Sequence, residues 1–179
     1  MTIDGVQGVS LMGFTIRNSP GQGILGVGGA ASMVKDTTMQ NNGGGGIFLN
    51  NNSLVELTDV EVKESEGIGI AVFNNSTAVF KGHVSSTGSS STVSGSSGGG
   101  SALIVGGLTV QNNQTGLLAD GAGALTLVSV PPSNPSRIEH KSGTDVDLSF
   151  GTRVTFGGVI IGTITCDATV LSRPSTVCP

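Results

Sequence analysis

Three consecutive stretches of this chain align with one another without a gap: GVSLMGFTIRNSPGQGILGVGGA from Gly8, ASMVKDTTMQNNGGGGIFLNNNS from Ala31 and LVELTDVEVKESEGIGIAVFNNS from Leu54. Each begins where the last one ends, so the spacing is even. A unit this short cannot bury an apolar face alone, so its neighbours must cover it. Self-similarity at a period of roughly 20–50 residues is the signature of a solenoid.

Each unit divides in the same way. Val9 and Leu11, then Phe14 and Ile16, alternate with Ser10 and Thr15, the period-two pattern of two short strands with one face buried; Gly13 separates them. In the next units the same slots hold Val34, Asp36, Thr37 and Met39, then Leu57, Asp59, Val60 and Val62. Gly, and less readily Asp and Asn, tolerates the left-handed backbone of a sharp corner, so a bend recurs at Gly13, Asp36 and Asp59. After a second break at Asn18, Asn41 and Glu64 come a Gly-rich turn and a third strand, at 24–27, 47–49 and 70–72. Three strands per unit predict a three-sided coil, each strand pairing in parallel with its equivalent one rung away, about 4.8 Å off. Inward residues then stack as ladders, with Ile24, Ile47 and Ile70 on one wall and Ile16, Met39 and Val62 on another. The turns Asn51-Asn52-Ser53 and Asn74-Asn75-Ser76 align too, and stacked Asn side chains can bond along the axis at a buried corner.

A strand, a Gly, Asp or Asn bend, a second strand, a longer loop and a third strand: this order resembles the PbH1-type repeat of right-handed parallel β-helix proteins in the pectate-lyase-like superfamily. The resemblance covers residues 8–76. It implies an all-β fold, a right-handed single-stranded parallel β-helix with three short strands and about 23 residues per rung. In that family the paired strands are PB2 and PB3, and the strand after the loop is PB1. The pattern specifies a fold and says little about activity.

Beyond Ser76 the register loosens. Phe80, Lys81 and Gly82 keep the bend, but His83 and Ser85 fall where inward apolar residues belong. A Ser/Gly-rich segment, 85–101, reads as a long polar loop, since Ser and Gly carry little apolar area to offset ordering entropy. The pattern returns with Leu103, Val105, Leu108 and Val110, with Gly107 at the bend. A further rung opens at Leu125 and Leu127 and is broken by a Pro-rich loop, 131–136, whose prolines cannot donate to a ladder. Residues 145–148 and 153–156 alternate as strands. The chain, 1–179, thus reads as a single β-helix domain; Met1 to Gly8 resembles a partial rung, as in a fragment or the C-terminal part of a longer solenoid. The ending resembles that of uncharacterised secreted bacterial β-helix proteins, with 166–179 as a disulfide tail crossing the last rung.

Thirty Gly, six Phe, no Trp or Tyr and 11% charged residues describe turns and small or β-branched side chains, and nothing in them asks for long helices. A net charge of −4 with eight scattered Lys and Arg argues against nucleic acid as a partner. No apolar run approaches the roughly 18 residues of a membrane span. Cys166 and Cys178 are too far apart for a CxxC motif and lack the further ligands of a zinc site. Pairing them as a disulfide implies an oxidising location: secreted, extracellular, or periplasmic and cell-surface. Two free thiols are the plainer alternative.

Candidates for chemistry are few. Asp36 and Asp59 stack at one bend, and carboxylates one rung apart suit a Ca²⁺ or a shared proton. Their equivalents Gly13, Gly82 and Gly107 argue instead for a slot chosen by backbone conformation. Asp145 and Asp147 share one side of a strand about 7 Å apart, a feasible metal or acid/base spacing with no third ligand in view. Polysaccharide lyases of the resembled family carry Ca²⁺-binding acids and a basic proton acceptor on PB1. Here the outward PB1 residues are Leu25, Phe48 and Ala71, with Phe73 close by, and sugar stacking would fall to Phe alone. His83 and His140 are isolated, and the Thr15, Thr38 row that would suit ice binding becomes Glu61 and stops. No catalytic residue and no cofactor is therefore assigned. The reading is a non-catalytic secreted or surface scaffold whose third-strand face (Leu25, Phe48, Ala71, Phe73) contacts carbohydrate or a second copy. The alternative is a lyase or glycoside hydrolase of the same fold with an incomplete active site.

Overall fold

A computed structural model describes residues 1–88, 93–95, 101–105, 107–111, 117–119, 124–128, 136–139, 145–149, 153–157, 159–161, 163–166 and 170–173; among these every regular element is a strand. The PB1 wall is one 8-stranded sheet in the order β1 (Thr2–Asp4), β4 (Gln22–Val27), β6 (Gly45–Leu49), β8 (Ile68–Val72), β10 (Val93–Gly95), β13 (Leu117–Ala119), β16 (Val146–Leu148) and β19 (Ile164–Cys166). The PB2 wall holds β2 (Val9–Met12), the first halves of β5 (Ala31–Gln40), β7 (Leu54–Lys63) and β9 (Thr77–Thr87), then β11 (Ser101–Val105), β14 (Ala124–Val128), β17 (Arg153–Gly157) and β20 (Leu171–Arg173). The PB3 wall holds β3 (Thr15–Arg17), the second halves of β5, β7 and β9, then β12 (Gly107–Gln111), β15 (Ser136–Glu139) and β18 (Val159–Ile161). All these pairings are parallel. Leu25 pairs Phe48 and Phe48 pairs Ala71, so the coil closes one turn for each repeat of the sequence.

The core is a column. Ile24, Ile47 and Ile70 stack on PB1, Met39 and Val62 on PB3, and Val34, Leu57 and Phe80 on PB2, all buried. Burying one such side chain contributes about 1.5–3 kcal/mol, and the column repeats the gain rung by rung. Ile16 of the same PB3 ladder is half-buried, and Phe14, expected inward, is exposed along with Met1, Val6 and Met12. All five lie in the first rung, which has a neighbour on one side only.

Three corners recur, each a left-handed residue. At the PB2–PB3 bend Gly13, Asp36, Asp59 and Gly82 have φ of 71, 49, 53 and 63°. After PB3, Asn18, Asn41, Glu64 and Gly88 have φ of 58, 53, 52 and 71°. After PB1, Gly28, Asn51 and Asn74 have φ of 64, 57 and 48°. Corner amides still donate to the next rung, as in Gly13 N–H to Lys35 O (3.1 Å) and Glu64 N–H to Thr87 O (2.8 Å), so the ladder continues around the bends. The expected Asn stack is present, Asn74 Nδ2 to Asn50 Oδ1 (2.6 Å) and Asn75 Nδ2 to Asn52 Oδ1 (3.0 Å), but it is exposed. The buried members of that corner are Ser53 and Ser76, with Ser53 N–H donating to Ser76 Oγ at 3.1 Å.

The loosening after Ser76 has a local cause. Val60 pairs Val84, one residue later than the repeat demands, with Gly82 and His83 together facing Asp59. His83 is an inserted corner residue, exposed, and beyond it Val84 and Ser86 face the core. Segment 85–101 is correspondingly not one loop: β9 runs on to Thr87, β10 joins PB1 beside β8, and β11 begins at Ser101. Parallel ladders are held by backbone hydrogen bonds, which Ser and Gly make as well as Val does. Of the Pro-rich loop, 131–135 lies outside the described residues and Ser136 opens β15. Within 166–179, Leu171–Arg173 is a further PB2 strand paired with β17, so this part extends the coil instead of crossing its end.

Candidate functional site

Three outer surfaces could do chemistry or bind. The first is the PB2–PB3 corner, where the bend brings Asp36 and Asp59 one above the other and PB3 adds Glu61. With Thr38, His83 and Ser85 they border a groove of about 360 Å³. Asp59 has a structural duty here: its Oδ1 accepts the His83 N–H at 2.8 Å, and a Cβ at Gly82 would collide with its carboxylate. Lys81, on the same strand as His83, turns away to Glu56 at 2.8 Å. Asp36 lies 4.0 Å from Lys35, and Glu61 pairs with Lys63 at 2.7 Å. Asp59 thus acts on the fold, and Asp36 shares with it the left-handed backbone of the bend. Asp59→Gly is expected to change stability by no more than about 1 kcal/mol, since losing one hydrogen bond is offset by relief of a left-handed Asp backbone. Thermal melts with and without Ca²⁺ check this; a Ca²⁺-dependent loss would restore the metal reading.

The second surface is the PB1 wall. Leu25, Phe48 and Ala71 do lie side by side in register, which continues through Ser94 and Leu118 to Asp147. The Phe48 and Phe73 rings meet at 5.0 Å between centroids, tilted by 43°. The strip is less open than the repeat implied: Ala71 is buried, and Leu25, Phe48 and Phe73 are half-buried. Within the Ser/Gly-rich segment, β10 lies beside β8 within the sheet, not over it.

The third surface is one that sequence reasoning missed. On the outer face of PB2, Met33 and Leu54, both exposed, border a depression of about 330 Å³ together with Val9, Glu56 and Val79. The signal was in the sequence, since Met33 and Leu54 occupy the outward slots of alternating strands.

Asp145 and Asp147 do not form a pair of free acids. Asp145 is buried just before β16, where its Oδ2 accepts from Thr163 N–H (2.5 Å) and Oγ1 (3.3 Å) while its own N–H donates to Thr163 Oγ1 (3.1 Å). Asp147 is half-buried on PB1 between Leu118 and Thr165. Among the described residues no three His, Cys, Asp or Glu come together as a metal site. Nor is any helix there long and apolar enough to cross a membrane. Cys166 ends β19 and packs, half-buried, against the core; Cys178 and His140 lie outside the described residues.

Stacked parallel strands, three walls and left-handed corners define a β-solenoid. Parallel strand connections wind right-handed in about 98% of cases. The family described as right-handed β-helix region matches residues 2–130, and the chain belongs to it. No curated protein and no solved structure matches the chain.

Proposed function

We propose that this chain is a non-catalytic scaffold working outside the cell, related to the pectate-lyase-like bacterial β-helix proteins, and that its PB1 wall is a contact surface for a second copy. The observation that carries this reading is the apolar strip on three successive rungs, with Phe73 packed on Phe48 beside Leu25 and Ala71. Contiguous outward apolar area marks contact surfaces, and a flat wall with a fixed repeat matches a second wall of the same kind. A Cys166–Cys178 bridge belongs to the same reading, since such a bridge requires an oxidising location; that no free thiol is found among the described residues supports it.

Two measurements test this. Phe48→Lys is expected to shift the wild-type oligomer toward monomer on light scattering, with the melting temperature held within a few degrees because Phe48 points away from the core; unchanged mass would sink the contact surface. Incubation with acidic and neutral polysaccharides, with and without Ca²⁺, is expected to release no product. Turnover of any one of them would make the chain a lyase or hydrolase.

A further inference from the structure

The corner after PB3 holds a polar slot independent of the PB1 contact. We propose that in the third rung this slot, at Ser65, binds a single internal water molecule. Ser19, Asn42 and Ser65 occupy the slot in successive rungs, one repeat apart. Their backbones repeat as well: Gly43 N–H donates to Ser19 O at 2.9 Å and Glu66 N–H to Asn42 O at 3.1 Å. The side chains do not. Ser19, half-buried, accepts the Gly21 N–H at 3.3 Å. Asn42 is buried and reaches back one rung, its Oδ1 accepting the Ser19 N–H at 3.1 Å and its Nδ2 donating to Ile16 O at 3.4 Å. Ser65 is 2% exposed, and its hydroxyl has no hydrogen-bond partner. Buried hydroxyls are ordinarily paired, with protein or with an ordered water.

Register supplies the groups that Ser65 fails to reach. One repeat on from Ile16 O and the Ser19 N–H stand Met39 O and the Asn42 N–H. An asparagine spans to such a pair. A serine falls short by roughly the size of one water, whose share of liquid volume is about 30 Å³. Glycine keeps the place clear: a Cβ at Gly23 would come within 3.0 Å of Asn42 Nδ2, and Gly46 holds the equivalent position one rung on. The groups also choose the ligand. A hydroxyl, a carbonyl and an N–H together call for both donors and acceptors, which a water supplies with two hydrogens and two lone pairs. A metal cation asks for oxygen ligands and would face the N–H, whereas an anion would meet the carbonyl. The Ser65 hydroxyl is shut off from solvent, so nothing larger than a water has a way in.

The test uses the full chain, with oxygen-17 relaxation dispersion to count long-lived internal waters and water–amide cross-relaxation to place them. The unmodified chain is expected to show a long-lived water at the Asn42 amide. Ser65→Asn brings its own carboxamide to the slot. It is expected to lower the count by one, extinguish the Asn42 signal and raise the melt by about 2–5 °C as the ordered water is released. Absence of the signal in the unmodified chain overturns the proposal, whether or not the variant folds. An unchanged count, or a signal that persists in Ser65→Asn, overturns it as well. A lowered melt would show that a carboxamide at 65 does not reach Met39 O and the Asn42 N–H, and the slot assignment would fall with it.

Discussion

Ile47→Asp is expected to unfold the middle of the solenoid. Ile47 is 1% exposed and sits between Ile24 and Ile70, with Met39 and Leu49 among the buried side chains of the same column. A carboxylate there has no cation and no donor: the adjacent backbone groups are spent on the PB1 ladder. The loss combines the transfer energy of an Ile with the desolvation of an unpaired acid, about 4–6 kcal/mol together. Domains are stable by about 5–15 kcal/mol, so most of that margin goes. Circular dichroism should show loss of β signal or a melt lowered by well over ten degrees. A wild-type melt would mean that Ile47 does not face the column.

Gly45→Ala should be nearly as damaging, although it adds a single methyl. Gly45 has φ of 119°, which L residues rarely adopt, and a Cβ there would run into the Ile68 carbonyl one rung away. That obstacle is backbone held in a ladder, so it cannot swing aside as a side chain end would. Strain of about 1–3 kcal/mol and overpacking of similar size add to roughly 3–4 kcal/mol. The melt should fall by about 6–15 °C on the usual scaling, and a change of less than two degrees would show that the turn into PB1 yields.

Where each residue does one job, the sequence is readable. Ile24, Ile47 and Ile70 announce a ladder because an inward slot admits apolar residues and the repeat returns that slot once per rung. Gly13, Asp36 and Asp59 announce a corner because few residues accept its backbone. Legibility fails where backbone alone does the holding or one residue shifts the frame. His83 displaces the rest of β9 by one, so Ser85 looked like an inward misfit although it is outward, and the Thr15, Thr38, Glu61 row in fact runs on through Ser85 to Thr109. Val93–Gly95 is a strand with no hydrophobic alternation to give it away. Asp145 resembles half of an acid pair until Thr163, on the next rung, is seen to hold it. At the candidate site the acids were visible, but the groove they share with Ser85 was not, because it exists only after the frame shift at the corner.

The even spacing of partners along the coil bears on how such a chain folds. Each strand of the first rungs finds its mate one repeat away, so every closure encloses nearly the same length of chain and costs nearly the same entropy. Among the described strands of these rungs no pairing waits for a distant part of the sequence, and the inserted residue at His83 lengthens the β7–β9 closure by a single step. Docking one rung presents the next with a finished template. Assembly can therefore begin at any well-packed pair, the Ala31–Gln40 and Leu54–Lys63 strands above all, and spread in both directions along the axis.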